Sequence, residues 1–214
     1  MLDDVKQFIE RNIEAIEEND FEWLYNEAIM DDIYASDLTE VLYTAGIDPL
    51  EHMHYVPERF AAGLTEPAEY VIPEGIKEFK SFAFKDNDLH KINLSSTICS
   101  LGKAAFAFCK NLTQIDTKNV DIIGEDCFIG CRNLNTLITS ANIIKKFAFK
   151  DTNLENIFIS KNINTIGFGA FNHVPATEIH YGGTKLEWSY VVLYDSWKDE
   201  SLRKIICTDG EVLL

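Results

Sequence analysis

The sequence predicts an α+β fold in which a solenoid of short, stacked parallel strands follows a small helical N-terminal domain. One phrase, an apolar residue followed five positions later by Phe with Ala or Cys directly before the Phe, occurs five times between residues 70 and 181. A fixed period of about 22 residues is typical of a solenoid. Residues 1–66 lack the phrase and show helical periodicity instead. We therefore predict a helical domain at 1–66, a repeat array at 67–181 and a C-terminal cap at 182–214. The repeated aromatic residues are Phe84, Phe106, Phe128, Phe149 and Phe171.

The helical domain is predicted to contain three or four helices. Apolar residues form one stripe of residues 2–18, which indicates an amphipathic helix. Asp20 is a suitable N-cap for a second helix. A third helix is predicted to begin at Asp37 with a capping box and to end at Gly46, and the Asp-Pro pair at 48–49 predicts another short helix. A bundle of this size is marginal by itself, so we expect it to pack on the first rung of the solenoid and cap it.

The repeat predicts which side chains face the core and which face solvent. Stacked coils place Phe on Phe, which forms a continuous aromatic column inside the solenoid. Strand alternation points every second residue outward. The outward positions form one predicted column across the sheet: Asn93, Asp116, Ile138, Phe158 and His180. Exposed apolar residues in such a column indicate an interface, unless the helical domain or the C-terminal tail folds over them. Both alternatives remain open from the sequence.

The repeated residues resemble a known family. The stretches Leu-Gly-Lys-Ala-Ala-Phe-Ala-Phe-Cys at 101–109 and Ile-Gly-Phe-Gly-Ala-Phe at 166–171 resemble the unit of BspA-type leucine-rich repeats. The resemblance implies a leucine-rich-repeat solenoid without a catalytic motif, and a role in adhesion and protein binding when such a protein is exported. The C-terminal residues resemble the closing segment of such proteins, in which Trp188 and Trp197 would cover the last rung. Proteins built in this way resemble small proteins of bacteria and their phages.

Charge and composition restrict the partners. The chain has a formal net charge of −16, and residues 1–66 hold 17 Asp/Glu against 3 Lys/Arg, a net charge of −14. Nucleic acid and anionic membranes would be repelled, whereas a basic protein surface is complementary. The sequence has no long apolar run and begins with acidic residues, from which we expect a cytoplasmic protein. An odd count of five Cys indicates free thiols. Because no cofactor, metal or nucleophile motif is present, we expect a protein without a cofactor that is not an enzyme.

We therefore predict a non-enzymatic protein–protein interaction module whose partner has a basic surface. A second hypothesis is an inhibitor, encoded by a phage or mobile element, that blocks a host nuclease or CRISPR effector by mimicking nucleic-acid charge. A third hypothesis, with less support, is a surface adhesion protein. The candidate partner-binding residues are Glu14, Glu17, Glu18, Asp31 and Asp32 in the acidic domain, and Ile138, Phe158 and His180 on the sheet.

Overall fold

The helical segment occupies the N-terminus. The computed structural model describes residues 2–18, 20–31, 33–62 and 69–214. Its helices are α1 (Leu2–Arg11), α2 (Ile13–Glu17), α3 (Phe21–Met30) and α4 (Ala35–Thr44), followed by a 3₁₀ turn at Pro49–His52. The helix predicted over 2–18 is interrupted at Asn12, whose side-chain amide donates to the Phe8 carbonyl over 2.9 Å. A polar side chain that bonds the backbone in this way competes with helix continuation.

The predicted caps have mixed outcomes. The N-cap at Asp20 is confirmed, since its carboxylate accepts from the Trp23 N–H over 3.2 Å. Gly46 follows the end of α4 with a φ of +79°, as expected for the residue after a helix. The prediction of a capping box that begins at Asp37 is wrong. The carbonyl of Tyr34 already accepts from the Asp37 and Leu38 N–H groups, so the helix begins earlier and Asp37 lies in its first turn.

The described residues after this segment form short strands and one further helix, α5 (Lys185–Trp188). The described strands are β1 (Tyr55–Val56), β2 (Glu69–Val71), β3 (Glu78–Phe79), β4 (Lys91–Asn93), β5 (Ser100–Leu101), β6 (Gln114–Thr117), β7 (Ile122–Ile123), β8 (Thr136–Thr139), β9 (Ile143–Ile144), β10 (Asn156–Ile159), β11 (Thr165–Ile166), β12 (Glu178–Tyr181), β13 (Val192–Leu193), β14 (Lys204–Cys207) and β15 (Gly210–Leu213).

Strands alternate between sheets as the chain winds. The first sheet has the order β1-β3-β5-β7-β9-β11-β13, and the second has the order β6-β8-β10-β12-β14-β15, with β2 and β4 paired separately. All pairs are parallel except β14 with β15. Equivalent repeat positions align, as when Ile123 pairs with Leu101 and with Ile144. The predicted solenoid of stacked parallel strands after a helical segment is confirmed.

The core of the solenoid is the predicted aromatic column. Each repeated Phe is fully buried. The ring of Phe128 stacks on those of Phe106 and Phe149 at centroid distances of 5.2 Å, with interplanar angles of 2° and 5°. Because every ring contacts the ring of the next coil, the column fixes the spacing of the coils.

The helical segment packs on the first coil, as expected. Phe60 contacts Tyr25 of α3 at 5.8 Å and Phe84 of the next coil at 5.9 Å. Strand β1 pairs with β3, so the first sheet begins inside the segment predicted to be helical. Sequence reasoning missed this coil because Phe60 follows Val56 by four residues instead of five. Residues 63–68 lie outside the described residues, so the division at 66/67 stays a prediction.

The C-terminal residues add another coil. Strands β13 and β14 continue the two sheets, and β15 returns antiparallel to β14. Trp197 is buried and meets the last repeated ring, Phe171, edge-on at 6.2 Å, while Trp188 lies 6.3 Å from Trp197. The two tryptophans therefore end the aromatic column, in agreement with their predicted covering role. All five cysteines are free, and Cys99 is the one that is exposed.

Candidate functional site

The predicted sheet column is assembled and open. Strand register places Ile138 between Asp116 and Phe158, and Phe158 beside His180. Ile138 is 42% exposed and Phe158 is 41% exposed. The His180 ring stacks on the Phe158 ring at 5.0 Å. Neither the helical segment nor the C-terminal tail, as far as the structure describes them, covers these side chains.

The column differs from the prediction at both ends. Asn93 lies on β4, which pairs with β2 and forms no ladder with β6. At the other end, His180 pairs with Ile206 of β14, which extends the apolar part of the column by one strand. Sequence reasoning missed Ile206 because its strand follows no copy of the Phe phrase. The available signal was the short β-prone run at Ile205 and Ile206, whose strand places Ile206 outward beside the buried Ile205.

A groove follows the apolar part of this column. Its volume is about 420 Å³, and we call it the sheet groove. Apolar and aromatic side chains form its floor, small hydroxyl side chains that follow β8, β10 and β14 form one rim, and a lysine lies at one end. These residues are Ile138, Phe158, His180 and Ile206; Ser140, Ser160 and Thr208; and Lys118. A mostly apolar concave surface with a few polar groups is typical of a binding site.

A second groove, of about 530 Å³, adjoins the sheet groove and shares Lys118 and Ile138 with it. Its other lining side chains include Asn93, Gln114 and Asp116 beside apolar residues such as Leu94 and Val120, so this half is more polar than the sheet groove. The sheet face therefore changes from mixed polar and apolar to mostly apolar along the solenoid axis. A ligand that lay across both halves would need the matching order of polar and apolar groups.

Ion pairs fix the edge of the sheet groove. Glu178 accepts from His180 Nε2 and from Lys204 Nζ, each over 3.0 Å. The hydrogen bond from Lys204 lowers the pKa of the Glu178 carboxyl. Glu211 of β15 lies 3.7 Å from the same lysine. Because these groups are solvent-accessible, the pairs contribute little stability, but they orient the imidazole that stacks on Phe158.

The acidic candidates lie on the helical segment. Glu14, Glu17 and Glu18 are exposed on or directly after α2. Glu14 and Glu18 line one groove of about 270 Å³ together with Asp20 and Trp23. The Trp23 side chain is 43% exposed, so an aromatic surface lies within this cluster of carboxylates. Such a surface can contact a cationic side chain by both charge and cation–π attraction.

The other two acidic candidates do not join this cluster. Asp31 forms an ion pair with Arg11 over 3.1 Å, which partly neutralises its charge. It lines a neighbouring groove of about 390 Å³ that also contains Asp4 and Asp37. Arg11 lines both grooves and therefore separates the two sets of carboxylates. Asp32 lies outside the described residues.

Two further findings concern the part of the chain that the structure describes. No three His, Cys, Asp or Glu side chains there lie close enough together to hold a metal ion. The helices there are too short and too polar to cross a membrane.

Comparison with known proteins gives a family match. Residues 60–182 match the family model of the BspA type leucine rich repeat region in six copies. The sixth copy agrees with the additional coil that contains Phe60. A search of curated proteins gives no match. Among solved structures, the chain is similar to a leucine rich cell surface protein from Faecalibacterium prausnitzii A2-165, with a TM-score of 0.54 and 24% identity. That match covers 61% of this chain and 36% of the other, and it shows a likeness of fold.

Proposed function

Because the chain belongs to the BspA-type leucine-rich repeat family, whose repeats are in general non-enzymatic scaffolds for protein interaction, we propose that it binds a partner protein through the sheet groove. The observation that carries this proposal is the exposed column of Ile138, Phe158 and His180. A soluble sheet face normally presents polar side chains, so adjacent exposed apolar residues indicate an interface. The strands that hold them are paired on both sides, so little ordering free energy is lost on binding.

The partner in this proposal has a basic surface. The net charge of −14 in residues 1–66 attracts a basic protein and accelerates its encounter with the chain. The apolar groove then supplies the short-range contacts that slow dissociation. A cytoplasmic location forms part of the proposal. It is supported by the five free cysteines, since thiols stay reduced in that compartment.

A substitution in the groove tests the proposal. Affinity capture and mass spectrometry would compare the wild-type chain with Phe158→Asp and with a matched control, Phe168→Asp. Phe168 is also 41% exposed and lies outside the sheet groove. We expect Phe158→Asp to lose one protein that both other chains retain. With that protein purified, its Kd should rise by about 30-fold or more, as for loss of a hot-spot residue. Unchanged binding by Phe158→Asp and Ile138→Asp would contradict the proposal.

The second candidate function, inhibition by charge mimicry, is favoured by the clustered carboxylates around Trp23. It predicts a different response in the same experiment. Replacement of Glu14, Glu17 and Glu18 by Gln would abolish competition with nucleic acid for a captured nuclease, and Phe158→Asp would not. Under the leading proposal the Gln variant reduces the association rate and its salt dependence, whereas Phe158→Asp increases the dissociation rate. The two hypotheses are therefore separated by which variant removes binding.

A further inference from the structure

The C-terminal end of the solenoid presents an uncovered strand edge. Strand β13 is the last strand of the first sheet, and among the described residues no strand pairs with it on the side opposite β11. We propose that this edge is a self-association surface, through which β13 pairs antiparallel with β13 of a second copy of this chain. This inference is independent of the sheet groove, which lies on the second sheet.

The side chains around this edge are apolar and exposed. Leu186, Tyr190, Val192 and Tyr194 are between 56% and 74% exposed, and we call them the end patch. The nine residues from 186 to 194 include one charged residue, Glu187. Its carboxylate accepts from the N–H and hydroxyl groups of Thr184 in the capping box of α5. The stretch therefore presents little charge to an approaching chain.

Two other outer strands carry covering or charged groups that β13 lacks. At the opposite end of the first sheet, the helical segment covers β1, and the N–H of His54 donates to the Glu22 carboxylate over 2.7 Å. At the end of the second sheet, Lys204 and Glu211 place charges at the β14–β15 pair. Proteins commonly protect edge strands with charged residues or covering elements, because an open edge pairs with other strands. Strand β13 itself contains no charged residue and no described element covers its outer edge; the exposed Asp195 is the first charged residue after it.

A second copy is the occupant that fits this surface. The edge of a strand carries both donors and acceptors, so the same edge of another copy is complementary to it after a two-fold rotation. Charge favours this end as well. Residues 182–214 hold 4 Lys/Arg and 6 Asp/Glu, whereas residues 1–66 carry a net charge of −14. Contact between the C-terminal ends keeps the two acidic segments at the far ends of the pair, where their repulsion is screened.

The size of the end patch is adequate for a weak dimer. Each tyrosine can bury on the order of 150–250 Å². The two tyrosines of each copy therefore supply a large part of the roughly 800 Å² that each partner buries in a standard interface. Pairing of a strand only two residues long adds few hydrogen bonds. We therefore expect a dimer that dissociates on dilution.

Sedimentation equilibrium over a range of concentrations tests this inference on the full chain. We expect a wild-type monomer–dimer equilibrium, and a dimerisation Kd at least about tenfold higher for Val192→Lys and for Tyr190→Lys. Val71→Lys is the matched control, since Val71 is a strand residue that is 69% exposed and lies far along the chain from the end patch. Circular dichroism checks the folding of each variant. If Val192→Lys unfolds, Tyr190→Lys decides alone, because its side chain is 74% exposed.

Two results would overturn the inference. One is a wild-type chain that stays monomeric up to about 1 mM, above the concentration at which even a weak interface associates. The other is a dimer that all three lysine variants retain, or that only Val71→Lys disrupts, because either result would place the interface elsewhere. Neither result bears on the sheet groove, so failure here is distinguishable from failure of the proposed function.

Discussion

Truncation of one ring in the aromatic column should destabilise the protein strongly. Phe128 is fully buried and stacks on Phe106 and Phe149 at 5.2 Å on each side. Phe128→Ala removes the ring and leaves a cavity that the hydrogen-bonded coils cannot close. Burial of this kind predicts a loss of about 3–5 kcal/mol in the free energy of unfolding. For a chain of this size, that loss lowers Tm by roughly 6–20 °C.

Urea denaturation would measure this loss with two probes. Far-UV circular dichroism reports on the whole chain, whereas tryptophan fluorescence reports on Trp23 near one end and on Trp188 and Trp197 near the other. Because each coil contacts only its neighbours, a defect in the middle should also separate the two transitions. Phe158→Ala is the control, and its partly exposed ring should cost less than about 1 kcal/mol. A Phe128→Ala variant no less stable than this control would refute the role assigned to the column.

Two further predictions concern a glycine and a half-buried carboxylate. Gly169 has a φ of +61°, and a Cβ there would lie 2.3 Å from Cε1 of Phe147, so Gly169→Ala should cost about 1–3 kcal/mol by thermal denaturation. Gly75 has a φ of +102° but no atom beyond its chain neighbours lies within 4 Å of a Cβ placed there, so Gly75→Ala should lose only the free energy that the backbone conformation costs. Equal losses of stability in the two Ala variants would contradict the steric argument. Burial raises the pKa of Asp48, so the stability that its protonated form contributes is lost as pH rises through that raised pKa. Asp48→Asn keeps an acceptor for the Leu50 N–H. The free energy of unfolding of this variant, measured by urea denaturation, should therefore equal that of the wild type near pH 3.5 and exceed it at pH 7. The same difference at both pH values would contradict this.

The period of the Phe phrase predicted the solenoid because equivalent positions of successive repeats are buried in the same way and pair with each other. Phe60 lay outside the prediction because it precedes the position of the repeated Phe by one residue. Ala61 stands at that position, and its N–H donates to the Ala83 carbonyl in the register common to the coils. Local helix signals failed at Asn12 and Asp37, where a side chain and a neighbouring carbonyl compete for the same backbone groups. The alternation rule predicted Ile138 and Phe158 as outward residues, but it could not predict that they stay uncovered. That depends on where the helical segment and the last coil pack.

The positions of the sheet groove and the end patch have a joint consequence. The groove lies on the second sheet, and β13 ends the first sheet. Pairing through β13 therefore leaves each groove open, and a dimer presents two copies of the groove together with two acidic segments. Two linked sites bind a partner that itself carries repeated sites far more tightly than one site does, by a factor of about 10²–10⁴. A weak dimer and a moderate groove affinity are thus sufficient for firm attachment to a multivalent partner, whereas a monovalent partner would bind with the affinity of the groove alone.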